Sequence, residues 1–198
     1  AMVEKVTSGA TSALGRIKIS GYDSSHLTSM VEKVTAGATS SLGKIKMDGY
    51  NAGDLSGMLE KVTAGATAAL GNIKMDGFSA DNLSSMVEKV TSGATAALSR
   101  IQMNGFSSDN LTSMIENVKT GAKGSLGKIK MKGYNPNNKP ADLENSVNTG
   151  ASKGLDKQPP MLKEITAVKT PTSETIPSYV FNSNKSGNIT YGGSCSSS

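Results

Sequence analysis

The chain has no tryptophan, only 4% aromatic residues, one histidine and one cysteine among 198 residues. Each scarcity excludes something. With so few rings and so much glycine and alanine, any core is thin and has to be built by close backbone approach. The single cysteine, Cys195, cannot form an internal disulfide, so cysteine usage identifies no redox compartment. The single histidine, His26, argues against imidazole chemistry, and no His or Cys cluster has metal-ligand spacing. No catalytic residue, metal or cofactor is therefore expected, and the chain reads as a non-enzyme. No apolar run approaches the ~20 residues that span a bilayer. The N-terminus also lacks the charged and apolar regions of a signal peptide.

What is present is repetition. VEKVTSGATSALG at 3–15 returns as VEKVTAGATSSLG at 31–43, LEKVTAGATAALG at 59–71 and VEKVTSGATAALS at 87–99, a 28-residue period. Ala1-Met2 opens inside a unit, without the turn that precedes the other copies, so the chain is expected to be a piece of something longer.

In the second unit the apolar residues Leu27, Met30, Val31, Val34, Ala38, Leu42 and Ile45 follow steps of three and four, which predicts one amphipathic helix from Leu27 to Met47, roughly 33 Å long. The alternative is that TSGAT splits each unit into two short helices. Gly21, Gly49, Gly77, Gly105 and Gly133 stand where a left-handed residue closes a helix, and each is followed by an aromatic: Tyr22, Tyr50, Phe78, Phe106 and Tyr134. Asp23, Asn51, Ser79 and Ser107 then suit N-caps. An aromatic before the cap and Leu27, Leu55, Leu83 or Leu111 after it have the spacing of a hydrophobic staple, so the aromatics read as corner posts. His26 corresponds to Asp54, Asn82 and Asn110 in the other units, a polar first-turn position.

Connections this short predict helices that fold back antiparallel in an up-and-down, solenoid-like or layered array. Ala36, Ser40 and Gly43 lie opposite the apolar stripe, so one face is apolar and the other small. Gly37 and its equivalents Gly9, Gly65, Gly93 and Gly121 each cost about 1 kcal/mol relative to Ala inside a helix. Backbone contact with a neighbouring helix or subunit is the expected offset.

The array is expected over 1–133, with a degenerate capping unit at 134–157. In that cap Leu143 and Val147 match Leu27 and Val31, and Gly150-Ala151 match Gly37-Ala38 after a three-residue deletion. A linker follows at 158–163. Beyond Gln158-Pro159-Pro160 the composition turns to Thr, Ser, Ile, Val and Tyr, and MLKEITAVKTPT, SYVFNSN and GNITYGG are candidate strands. The fold class is thus mainly α, followed by a short, incomplete β segment.

The net charge of +5 is local. Residues 2–113 carry as many acids as bases, and the excess sits at Lys119, Lys123, Lys128, Lys130 and Lys132 against Glu116. Lys119, Lys123 and Lys130 fall on one side of a continuous helix, a possible anion-facing interaction surface or a solvated face near the array's end; nucleic acid is not an expected partner. GAKGSLGK at 121–128 lacks the spacing, the Ser or Thr after the lysine, and the preceding strand of a phosphate-binding loop. The recurrent Glu4, Glu32, Glu60, Glu88 and Glu116 read as a charged helix face.

The TPT turn, the Pro-Ser-Tyr-x-Phe strand, the Gly-x-Ile-Thr-Tyr strand and the Gly-Gly-Ser-Cys tail resemble the opening half of the bacterial Ig-like repeats of large secreted and cell-surface proteins. The resemblance covers 164–198, a truncated Ig-like β segment, and implies an extracellular or cell-surface setting with Cys195 as half of a disulfide whose partner lies downstream. The function expected from all this is a structural or adhesive repeat region. Alternatives are a module that binds a surface protein or glycan through the repeat face, a subunit of a self-associating extracellular fibre, and an amphipathic lipid binder.

Overall fold

The structure, a computed structural model, describes residues 2–17, 20–46, 48–74, 78–101, 110–134, 141–160, 162–166, 179–183, 185–188 and 190. The protein is mainly helical, with a short two-stranded sheet towards its C-terminus. It divides into a helical unit ending at Gln158 and a second unit from Pro159.

The helices are α1 (Met2–Leu14), α2 (Ser24–Ser41), α3 (Ala52–Ala69), α4 (Leu83–Ala97), α5 (Leu111–Leu126) and α6 (Ala141–Asp156). Each runs unbroken through its glycine, so the split at TSGAT does not occur. They end earlier than the apolar period predicts, however. α2 stops at Ser41, passes through a tight turn at Leu42–Lys44 and leaves Ile45 extended; Leu70–Asn72 with Ile73 and Leu98–Arg100 with Ile101 do the same. The periodic isoleucine is thus carried inwards by an extended segment: Ile73, Ile101 and Ile129 are buried.

The starts follow the sequence closely. Asp23 accepts from the Ser25 and His26 amides, and Asn51 and Ser79 form reciprocal capping boxes with Asp54 and Asn82. The hydrogen bonds from Ser25 and His26 hold the Asp23 carboxyl far below its ordinary range. Gly21, Gly49 and Gly133 have φ of 81°, 80° and 86° and turn the chain ahead of the caps, several residues beyond the helix ends. Gly77, Gly105, Phe106 and Ser107 lie outside the described residues. Tyr22, Phe78 and Tyr134 pack against the core, and the Tyr134 hydroxyl donates to the Leu126 carbonyl at 3.0 Å, strapping the turn to the end of α5. The Tyr22 and Tyr50 hydroxyls are buried, which raises both groups' pKa.

Every helix packs most extensively on the helix two along the chain and less on its immediate neighbours. α1, α3 and α5 form one row, and α2, α4 and α6 another. Gly65 of α3 rides over the Glu4 carbonyl of α1, and Gly15 lies against Ile73, so the contacts ascend together and the two helices run parallel. Gly93 meets Glu32, Gly121 meets Glu60 and Gly150 meets Glu88 in the same way. A Cβ on Gly65 would stand 2.5 Å from the carbonyl oxygen, and closer at the other three, so only glycine allows the approach. Val147 precedes Gly150 by three residues, as Val90 precedes Gly93, and both are fully buried. The last helix therefore aligns with α4 without the deletion that the sequence suggested.

In the second unit β1 (Leu162–Thr166) pairs antiparallel with β2 (Val180–Ser183), Leu162 opposite Ser183 and Thr166 opposite Val180, with a register irregularity between Glu164 and Thr166. These are the first two candidate strands. Of the third, GNITYGG, Gly187, Asn188 and Thr190 are not in a strand, and the remainder lies outside the described residues, as does Cys195. Gln158, assigned to the linker from composition, is buried, and its side-chain amide donates to the Thr95 carbonyl of α4.

Gly9 and Gly37 occupy the same place in α1 and α2 but have no atoms near a built Cβ. Gly93→Ala is expected to destabilise by about 1–3 kcal/mol through overpacking, whereas Gly37→Ala should stabilise by about 0.5–1 kcal/mol through helix propensity. Urea unfolding of the two variants measures the contrast.

Candidate interaction face

Each inner helix has three working sides. In α4, Leu83, Val87, Ala94 and Leu98 form the central buried stripe. Met86, Val90, Gly93 and Ala97 form one flank, which meets α2. Glu88, Thr91 and Thr95 form the other, towards α6: Gly150 meets the Glu88 carbonyl, and a Cβ on Gly154 would touch Thr95. Ala36, Ser40 and Gly43, named from the sequence as the small face, are only half-buried; the close approach runs through Gly37-type positions instead.

The threonines are the residues that apolar counting missed. Thr7, Thr11, Thr35, Thr39, Thr63, Thr67, Thr91 and Thr95 are all buried. The first of each pair donates back to the carbonyl four residues earlier, Thr7 to Val3, Thr35 to Val31, Thr63 to Leu59 and Thr91 to Val87, each at 2.9 Å. The second of each pair, Thr11, Thr39, Thr67 and Thr95, has no hydrogen-bond partner for its hydroxyl among the described residues. The signal was in plain sight: a pair of Thr four apart faces one side of a helix.

Charged groups seal the edges of these contacts. Glu32 accepts from Lys89 of α4 at 3.2 Å, from the Ser92 hydroxyl at 3.0 Å and from Lys157. Burial raises its pKa, but the hydrogen bonds from Lys157, Lys89 and Ser92 outweigh burial and hold the carboxyl below its ordinary value. Lys153 of α6 bonds Glu88 of α4 at 2.8 Å. The recurring glutamates at these two positions therefore tie successive helices of the α2, α4, α6 row to one another rather than form a purely solvated face.

The predicted lysine face is only partly assembled. Lys119 and Lys123 lie one turn apart on α5, and Lys119 bonds Glu116 at 2.8 Å. Lys130 is not on that helix: α5 ends at Leu126, and the Lys130 backbone instead lies against Gly71. His26 sits in the first turn of α2, its Nδ1 2.8 Å from Asp23 Oδ1, exposed and engaged in the cap. No three His, Cys, Asp or Glu side chains among the described residues converge as a metal site. No helix among the described residues is long and apolar enough to cross a membrane.

Comparison with family models, curated proteins and solved structures finds no match to this chain.

Two outcomes follow from this geometry. Glu32→Gln should destabilise the helical unit by about 1–2 kcal/mol at neutral pH. Because folding depresses the Glu32 pKa, its contribution is present above the unfolded value and disappears as pH falls through the folded one. The gap between variant and parent should therefore close in acid, as read from unfolding midpoints across a pH series. Thr67→Val removes an unpartnered buried hydroxyl and should stabilise by about 1 kcal/mol, while Thr63→Val removes a bonded one and should not; thermal unfolding compares them.

Proposed function

We propose that the helical unit is a tandem-repeat, solenoid-like array with a structural role, a spacer or extended binding surface, in a larger secreted or cell-surface bacterial protein. The observation that carries the reading is the glycine-on-carbonyl contact, made by four successive helices on the helix two before. A packing rule that each new helix satisfies with the same residues makes length the adjustable property, as in solenoids whose units touch only their neighbours. The aromatic corner posts and the capped helix starts support the same reading, because they let consecutive helices reverse through short turns. The surface setting rests on the resemblance of 164–198 to Ig-like repeats alone. No catalytic role is assigned: His26 is committed to a cap, Glu32 and Glu88 to interhelical lysines, and Glu116 to Lys119 of its own helix.

Inserting a second copy of residues 28–83, two units in frame, tests the array. The longer protein should fold with unchanged fractional helicity and gain about 8–10 Å in maximum dimension, one interhelical spacing, by small-angle scattering. Loss of helicity, or no elongation, would overturn the reading.

A further inference from the structure

We propose that the edge of the array at which α1, α3 and α5 end is a binding surface for a linear anionic polysaccharide. The inference deepens the binding-surface part of the reading above and rests on it. After each of these helices the chain makes the same tight turn, in which the amides of Ile17, Ile73 and Ile129 donate to the carbonyls of Leu14, Leu70 and Leu126 at 3.4, 3.3 and 3.3 Å. The isoleucine points inwards, half-buried at Ile17 and buried at Ile73 and Ile129. The residues on either side of it are exposed: Arg16, Asn72 and Lys128 before it, Lys74 and Lys130 after it. In extended backbone residues two apart share a side, so each buried isoleucine sends both its neighbours outwards. The segments also touch. A Cβ on Gly15 would stand 2.8 Å from the Lys74 amide nitrogen, and one on Gly71 2.5 Å from that of Lys130, the same contact one step along the row. Exposed cations from three helices of the row are thereby brought onto one edge, and Lys132 adds another beyond Lys130.

These charges are not used within the fold. Arg16, Lys74, Lys128, Lys130 and Lys132 make no ion pair among the described residues, whereas Lys89, Lys119, Lys153 and Lys157 each reach a glutamate. The dipole of a helix C-terminus favours a cation in or beside its last turn, which accounts for Arg16 and Lys128; Lys74, Lys130 and Lys132 lie past its reach. Of the acids carried by the same connections, Asp23, Asp81 and Asp142 stand at the starts of α2, α4 and α6, in the other row, and Asp23 is engaged by its own cap. Cations and acids are thus divided between the rows, which leaves a cationic strip along the odd one. A strip of this kind attracts a polyanion.

The chemistry of the strip selects the polymer. Bases of a single-stranded nucleic acid need aromatic platforms, and the rings at this edge, Tyr22, Phe78 and Tyr134, are packed against the core. Four of the five cations are lysines, point charges without the planar fork with which arginine grips a phosphate. A membrane surface would ask for apolar side chains to insert, but Ile73 and Ile129 are buried and Ile17 and Met131 pack on the core. Asn72 occupies the position of Arg16 and Lys128 in the middle segment, an exposed amide that can both donate to and accept from a sugar hydroxyl. Spaced cations interrupted by an amide suit a chain of sugars bearing acidic groups.

The test uses the full chain and labelled dextran sulfate, with binding read by fluorescence anisotropy over a salt series and helicity in parallel. The parent should bind, with affinity falling about tenfold or more between roughly 50 and 200 mM salt. The variant Lys74→Gln, Lys128→Gln, Lys130→Gln, Lys132→Gln should bind about tenfold or more weakly. A second variant, Lys5→Gln, Lys33→Gln, Lys46→Gln, Lys61→Gln, removes the same charge from exposed positions elsewhere and should stay within about threefold of the parent. Should the first variant lose helicity, Lys128→Gln with Lys132→Gln is read in its place, with a loss of about threefold or more. No binding by the parent, or equal weakening by the two fourfold variants, overturns the proposal. So does tighter binding to a short DNA duplex or to phosphatidylglycerol vesicles than to dextran sulfate. Each of these failures would leave helicity intact and so spare the array reading, which falls instead with the two-unit insertion.

Discussion

A glycine riding on a backbone carbonyl of the helix two before it sets the interhelical distance on which the other features depend. Where the glycine meets the carbonyl there is no room even for a Cβ, so the helices of a row are buried against each other by backbone contact, without the large rings that a chain with 4% aromatics lacks. The glycine costs each helix about 1 kcal/mol in propensity, and nothing in an isolated helix returns it. Only the contact does, through the dense van der Waals packing that a missing Cβ permits. Remove the approach and the Thr pairs would be left in water, the edge lysines would no longer reach Glu32 or Glu88, and Gln158 would lose the Thr95 carbonyl.

The contact is also directional. Glycine lies on one flank and threonine on the other, so the interface is heterologous and a row has two unlike ends. Closed symmetric dimers do not arise naturally from such a pattern; continuation does, unless one end is altered. The alteration is concentrated in α5 and α6, where Thr gives way to Lys119, Lys123, Asn148 and Ser152 while Gly121 and Gly150 keep the glycine side intact. The two flanks thus change independently, and the final helices still accept the helices before them.

Much of the helical unit was legible in the sequence because its determinants are local. Caps at Asp23, Asn51 and Ser79, left-handed glycines at Gly21, Gly49 and Gly133, and the central stripe of Leu27, Val31 and Leu42 all act within one unit. The demand that Gly37-type glycines find a neighbouring backbone was legible too, since their cost has no local offset. What escaped was the identity of that neighbour. Short connections point to the next helix, whereas the closest contact is with the one after, 61 or 62 residues away. The threonines escaped because a hydroxyl marks a residue as polar, although in a helix it can bond its own backbone and bury its methyl. Lys130 was misplaced because the apolar period runs on through Ile129, although the helix had already ended at Leu126.

The charged network discriminates further between a shared scaffold and a tailored site. Glu32 collects Lys89, Ser92 and Lys157, and Glu88 takes Lys153, so the two glutamates of the even row that are covered by a later helix use different donors. The backbone contact beneath them is the same in both cases. The invariant part of the interface is therefore a carbonyl and a missing Cβ, which carry no side-chain information, and the variable part lies at the solvent edge. A surface organised in this way holds its helices at a constant spacing while its rim remains free to change. That separation suits a structural array, because rim substitutions can alter what the surface meets without disturbing how it is built.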